Sequence, residues 1–141
     1  MIKLSKTDYD KILAHAIGHM PNETCGLIGG EITDGNKIIK KVYLLTNIDH
    51  SDEHFSIDIK EQLAAVNDMR ANGIIPLGNW HSHTASPPRP SEEDKRLAYD
   101  SEASYMILSL MDIENPELRS FKINGKNIDK EELIIVFKKK I

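Results

Sequence analysis

A chain of 141 residues is enough for one domain, expected to span 1–141, and a domain of that size buries roughly 68–70% of the surface its unfolded chain exposes. Composition is ordinary for a globular protein, so no metal or disulfide is needed merely to make it fold, and a metal site here reads as functional. The formal net charge of -4 excludes a global attraction to nucleic acid, and the single cysteine excludes an internal disulfide. The longest apolar run, Leu133 to Phe137, is far short of the ~20 residues that span a bilayer, and no signal-like stretch opens the chain, so a cytoplasmic location and no membrane partner are expected.

In chain order, Ser5 to Met20 reads as a helix: Ser5 and Asp8 form an S-x-x-D capping signal, and Tyr9, Ile12, Leu13, Ala16, Ile17 and Met20 follow at helical spacing. Thr24 to Ile32 reads as a strand, Asp34-Gly35 as a hairpin turn and Lys37 to Leu45 as the returning strand. Asn47 to Ser56 is polar and loop-like. Asp58 to Asn72 reads as a second helix with Ile59, Leu63, Val66 and Met69 or Arg70 along one side, and Gly73 as its C-cap. Ile74 to His81 reads as a strand whose Pro76 calls for an edge or a bulge.

Ser86 to Pro90 is a stiff connector, because each proline fixes its own φ and restricts the residue before it. Ser91 to about Ser101 reads as a third helix and Ser104 to Leu110 as a strand buried on both faces. Leu118 to Ile123, the Asn124-Gly125 turn and Leu133 to Phe137 supply closing strands, and Lys138-Lys139-Lys140 reads as a solvated tail. The fold class is α+β, a mostly antiparallel sheet with about three helices around it.

His81-Ser82-His83, followed by Ser91 and Asp94, carries the chemistry. Alternate residues of an extended segment point the same way at ~6.6 Å spacing, so His81 and His83 can face one ion while Ser82 faces away. The connector returns the chain to a helix start with Ser91 at the N-cap and Asp94 at N3. Ser91 and Asp94 alone are an ordinary capping signal, and H-x-H alone is an ordinary histidine pair. Together they give two imidazoles and a carboxylate, and catalytic Zn²⁺ commonly takes three protein ligands. For a general base, Glu23 at the start of the first strand competes with Glu31, Glu53, Glu92 and Glu93.

The segments Asn22-Glu23-Thr24-Cys25-Gly26, Gly78 to His83 and Pro90 to Asp94 resemble the JAMM (MPN-plus) metalloprotease family, whose pattern is a glutamate, then H-x-H, then S-x-x-D. All five positions match, and the element order agrees across nearly the whole chain. The resemblance implies a cytidine-deaminase-like MPN fold with a partly barrel-like sheet. It also implies one Zn²⁺ on His81, His83 and Asp94, a zinc-bound water activated by Glu23, and Ser91 donating to the oxyanion. Thr84 departs from it, since many members have proline there.

Family members cut peptide or isopeptide bonds at the C-terminus of ubiquitin-like proteins. The short chain and the Glu-x-Cys-Gly sequence around Cys25 are similar to the single-domain prokaryotic branch, which includes peptidases of sulfur-carrier proteins. The expected partner is therefore the C-terminal tail of a ubiquitin-like or sulfur-carrier protein, or its conjugates, with oligomeric state left open. Two other classes are a non-catalytic MPN-type binding scaffold, whose members usually lose ligands this chain keeps, and a zinc hydrolase of a small-molecule amide. Cys25 reads as a packing residue, with a place near the metal as its alternative. Trp80 reads as core, Arg89 as an exposed loop residue that can reach a substrate tail, and His50 and His54 as loop residues outside the ligand set.

Overall fold

The computed structural model describes residues 1–137, so the Lys138-Lys139-Lys140 run lies outside the described residues. The elements are β1 (Ile2–Ser5), α1 (Lys6–Gly18), β2 (Cys25–Thr33), β3 (Asn36–Leu45), α2 (Ile59–Ala71), β4 (Ile75–His83), α3 (Glu92–Arg96), β5 (Ser104–Ser109), β6 (Glu117–Asn124), β7 (Asn127–Glu131) and β8 (Leu133–Val136). Eight strands form one mixed sheet in the order β7-β6-β5-β4-β2-β3-β1-β8. The β1–β3, β1–β8 and β4–β5 pairs are parallel and the other four antiparallel. β7 and β8 lie at opposite edges yet only Glu132 separates them in the chain, so the sheet curls into a nearly closed barrel. The expected α+β architecture with three helices and a partly barrel-like sheet is what the chain adopts.

α1 packs against one face of the sheet. Ile12 and Ala16 join Ile2, Leu4, Ile28, Trp80, Met106 and Leu108 in the largest apolar cluster. Ser5 caps the helix by accepting a 3.1 Å hydrogen bond from the Asp8 amide. α2 packs on other sheet residues, placing Ala65 and Met69 with Leu27, Tyr43 and Leu45. Asp58 caps it and Gly73, at φ 68°, follows its end. Tyr105, Ile107, Phe121 and Ile123 make a third cluster.

Several elements differ from the sequence reading. β1 was not anticipated, because four residues carry too short an apolar pattern; α1 starts after the Ser5 cap as read but ends at Gly18 rather than Met20. β7 was also missed, because its polar residues NIDKE form an edge strand with no apolar face to register. On α2, Ile59 and Leu63 are 80% and 60% exposed, and the helix instead faces the sheet with Ala65 and Met69. Gly29 is the reason: its missing side chain leaves room for Met69, whose sulfur stands 3.0 Å from where a Cβ would sit. The third helix stops at Arg96 instead of continuing to about Ser101. The Tyr105 hydroxyl accepts from the Asp100 amide and donates to the Asp100 carbonyl, holding that backbone out of a helical ladder. β4 runs through His83, two residues beyond the expected end. Its register with β2 shifts by a bulge opposite Ile28/Gly29, as Pro76 required.

Gly26 positions the strand that carries the histidines. Trp80, fully buried on β4, passes over Gly26 so that its indole N–H donates to the Tyr43 carbonyl on β3 at 3.1 Å. A Cβ on Gly26 would lie 1.8 Å from that carbonyl oxygen and 2.3 Å from the indole nitrogen. Gly26→Ala is therefore expected to destabilise the fold by roughly 1–3 kcal/mol or more, whereas Gly18→Ala, with open space around it, is expected to be neutral or mildly stabilising. Urea denaturation of the two variants beside the parent checks this, and equal midpoints would refute it.

Candidate metal centre

The period of two in β4 divides its C-terminal half between the two faces of the sheet. Trp80 points into the large cluster, and Ser82, fully buried, accepts hydrogen bonds through its Oγ from the Thr24 amide (2.8 Å), with the Thr24 hydroxyl at 2.9 Å. The Ser82 amide in turn donates to the Thr24 carbonyl at 2.9 Å. His81 and His83 occupy the opposite face, with His81 paired to Cys25 of β2. Continuing that antiparallel register through the Thr24–Ser82 pair sets Glu23 opposite His83. The Glu23 backbone is fixed on both sides, its amide donating to Ser51 and its carbonyl accepting from the Asn47 side chain.

The proline-rich connector then brings Asp94 to the histidines. His81 Nε2 and His83 Nε2 are 3.1 Å apart, and Asp94 Oδ2 lies 3.2 and 3.1 Å from them. Among the described residues these three form the one histidine, cysteine or carboxylate group able to hold a metal ion. Asp94 is also the third residue of a complete capping box: Ser91 Oγ accepts from the Asp94 amide at 3.0 Å, and Asp94 Oδ2 accepts from the Ser91 amide at 2.9 Å. Capping and ligation, which compete as readings of the sequence, are here made by the same oxygen.

The donor set fits a small divalent ion. A tetrahedron with Zn–N bonds of about 2.0–2.1 Å has edges of about 3.3 Å, close to the observed 3.1–3.2 Å triangle. His83 Nδ1 is 2.9 Å from the Pro87 carbonyl, so Nδ1 carries the proton and Nε2 offers a lone pair toward the triangle. His81 Nδ1 is buried without a partner, and its ring stacks on Phe55 at a centroid distance of 4.6 Å.

Electrostatics set the two carboxylates apart. Burial pushes the Asp94 carboxyl up, but hydrogen bonds from His81 and His83, with their charge, outweigh it and hold the group well below the usual carboxylate range. Burial also pulls His83 down, against the Asp94 hydrogen bond and the Pro87 carbonyl, and the balance leaves it raised. Glu23 has no such compensation: burial pushes its carboxyl up to about 7, with His83 acting in the opposite direction and Asp94 reinforcing the rise. One carboxylate is thus ionised throughout, and its neighbour changes charge near neutrality.

The other candidates separate cleanly. Cys25 is fully buried, with its thiol pushed up to about 12 by burial, and stands outside the metal-competent group. Arg89 is exposed on the connector. His54 pairs with Asp49 and His50 is exposed at a positive φ of 46°; neither joins the triad.

Three contributors went unnoticed in the sequence. Asn47 is buried and organises the loop, its Oδ1 accepting from the amides of Asp49 and Ser56; the Asn-x-Asp pattern was an available turn signal. Phe55, the lone aromatic of a polar segment, was another. The Pro87 carbonyl that orients His83 carried no signal at all.

The model for prokaryotic homologs of the JAB domain matches residues 5–124. The CysO-cysteine peptidase of Mycobacterium tuberculosis is 31% identical over 125 residues, covering 89% of this chain and 84% of that protein. The desampylase of Pyrococcus furiosus is 26% identical over 128 residues, covering 91% and 86%. A solution structure of a protein from Desulfitobacterium hafniense superposes with a TM-score of 0.90 at 49% identity, covering 98% of this chain and 94% of that one. With its barrel-like sheet and with most of its length matched, the chain belongs to the prokaryotic JAB/MPN domain family.

Proposed function

We propose that the protein is a zinc-dependent amide hydrolase that cuts a peptide or isopeptide bond at the C-terminus of a ubiquitin-like or sulfur-carrier protein. The observation that carries this reading is the convergence of His81 Nε2, His83 Nε2 and Asp94 Oδ2 within 3.1–3.2 Å, with a buried carboxyl of raised pKa in their electrostatic neighbourhood. Two relatives that bear the names CysO-cysteine peptidase and desampylase support the same chemistry and the same kind of substrate.

Zn²⁺ held by His81, His83 and Asp94 supplies a Lewis acid that acidifies water and polarises a carbonyl. The chain's own groups do the rest. Glu23 accepts a proton from the attacking water and returns it to the departing nitrogen, a task suited to a carboxyl that titrates near neutral pH. Ser91 Oγ is an acceptor in the capping box, which leaves its hydroxyl proton free to donate to the developing oxyanion from a fixed helix start. Beside His81 and Asp94, Phe55, Asn79, Leu97 and Tyr105 border a small pocket of about 30 Å³, room for about one water.

Protein purified without chelator is expected to carry about one zinc per chain, and His81→Ala to carry none; elemental analysis checks this, and zinc retained by His81→Ala would remove the site. The zinc-loaded protein is expected to shorten a ubiquitin-like carrier bearing a C-terminal amino-acid or lysine-linked adduct, with products weighed by mass spectrometry. Cleavage of small amides alone would reassign it to small-molecule hydrolysis.

Glu23→Gln is expected to keep the metal and to lose about 10²–10⁴-fold in kcat. The sign of the pH dependence follows from the raised carboxyl. As pH falls through about 7, Glu23 takes up a proton and stops being a base, and a bound cation, by favouring the carboxylate, moves that limb lower. The parent enzyme is thus expected to show kcat/KM rising with pH along an acid limb at or below about 7. An unchanged limb in Glu23→Gln would assign the limb to another group, and unchanged turnover would exclude Glu23 as the base.

A further inference from the structure

Glu23 stands just outside the strand ladder that carries the histidines. β2 begins at Cys25, and its register with β4 begins with the Cys25–His81 pair. The peptide unit that joins Glu23 to Thr24 is gripped at both ends: the Thr24 amide donates to Ser82 Oγ at 2.8 Å, and the Glu23 carbonyl accepts from Asn47 Nδ2 at 3.0 Å. The Glu23 amide donates to the Ser51 carbonyl at 2.8 Å. Both backbone polar groups of the candidate base are therefore satisfied by the loop between β3 and α2.

Asn47 holds that loop together. It is buried, and its side-chain amide makes four hydrogen bonds: Nδ2 donates to the Glu23 and His54 carbonyls at 3.0 and 3.1 Å, and Oδ1 accepts from the Asp49 and Ser56 amides at 3.0 and 3.1 Å. A primary amide offers two N–H donors and an oxygen with two lone pairs, so a single orientation of this group serves all four partners. The loop is in turn anchored beside the metal ligands. Asn47 pairs with Ile57 across its neck, the Thr84 hydroxyl donates to the Asp52 carbonyl at 3.3 Å, and the Phe55 ring stacks on His81 at 4.6 Å. His54, whose carbonyl Asn47 holds, directly precedes Phe55.

We propose that Asn47 is a positioning residue for the hydrolysis: its buried amide sets the place of Glu23 relative to the metal ligands by joining the Glu23 carbonyl to the loop seated on His81. This rests on the reading of the protein as an amide hydrolase with Glu23 as base. Proton transfer needs the base within about 2.6–3.2 Å of the attacking water, and a misplacement of about 1 Å caused away from the chemistry can cost about 10²-fold. Asn47 bonds to none of the three ligand residues, which have their own supports in the Pro87 carbonyl and the Ser91 amide. Its influence on turnover passes through Glu23.

A double-mutant cycle on the zinc-loaded protein tests this, with rates compared on the alkaline side of the acid limb, where Glu23 is ionised. Asn47→Ala is expected to lower kcat about 10- to 100-fold with little change in KM, and to keep about one zinc per chain. In the Glu23→Gln background the same substitution is expected to lower kcat no further, because a residue that acts through another adds nothing once that other is gone. Additive losses, or a loss carried by KM, would overturn the positioning role. Asn47→Asp keeps an oxygen for the Asp49 and Ser56 amides but turns a second oxygen on the Glu23 and His54 carbonyls, and is expected to lose kcat as Asn47→Ala does. Parental kcat in Asn47→Asp would leave Asn47 with loop structure only. Ser56→Ala removes a loop hydrogen bond to Asp49 without touching Glu23 and is expected to keep the parental kcat; a loss equal to that of Asn47→Ala would also overturn the proposal.

A parent protein that cuts no amide would sink the hydrolase reading and leave the contact to be read directly. The Thr24 amide resonance, from the peptide unit that contains the Glu23 carbonyl, is expected to shift in Asn47→Asp and to stay in place in Ser56→Ala. An unmoved Thr24 resonance in Asn47→Asp would refute the hold on Glu23.

Discussion

The register between β2 and β4 is the constraint on which the rest depends. Side chains alternate along a strand, so a slip of one residue would turn His81 and His83 into the apolar cluster and Trp80 and Ser82 onto the face where the histidines meet Asp94. Two features of the buried face prevent it. Ser82 satisfies the Thr24 amide and meets its hydroxyl in the interior, and Trp80 threads the gap that Gly26 leaves to reach the Tyr43 carbonyl. Each would leave buried polar groups unpaired if the strands moved, at a cost of about 1–3 kcal/mol per group. The chemistry on one face is thus held in place by polar contacts on the other.

The second economy lies in Asp94. Its Oδ2 closes the capping box of a five-residue helix and meets two imidazoles at once. A helix so short has little stability of its own, and the Ser91 amide and the paired histidines give this carboxylate a fixed position and a fixed charge. Glu23, just before the neighbouring strand, is buried without equivalent partners and is raised instead, to about 7. Two acids with different environments therefore differ in charge, one held well below the usual carboxylate range and one titrating near neutrality.

Much of this was legible in the chain because the decisive residues obey local rules. H-x-H reads as one strand face, S-x-x-D as a helix start, and the prolines as a stiff return, so the meeting of His81, His83 and Asp94 needed no knowledge of distant contacts. Asp34-Gly35 and Asn124-Gly125 both mark hairpins that form. What escaped depends on tertiary accommodation. The buried face of α2 was misassigned because Gly29, far upstream, makes space for Met69 and lets Ile59 and Leu63 face outward. α3 was overextended because the residue that stops it, Tyr105, acts from the next strand. β7 carries no apolar pattern, since an edge strand needs none. The Pro87 carbonyl beside His83 is a backbone group, on which the sequence is silent.

All three metal-competent residues lie within the stretch from His81 to Asp94, on one strand and the helix that follows it. An ion bound there would close only a short loop, already stiffened by prolines, and would tie no distant parts of the barrel together. The hydrophobic clusters and the β2–β4 register rest on other contacts. A metal there would thus draw all its ligands from one local stretch, and its influence would fall on the segment from His83 to Asp94 rather than across the barrel.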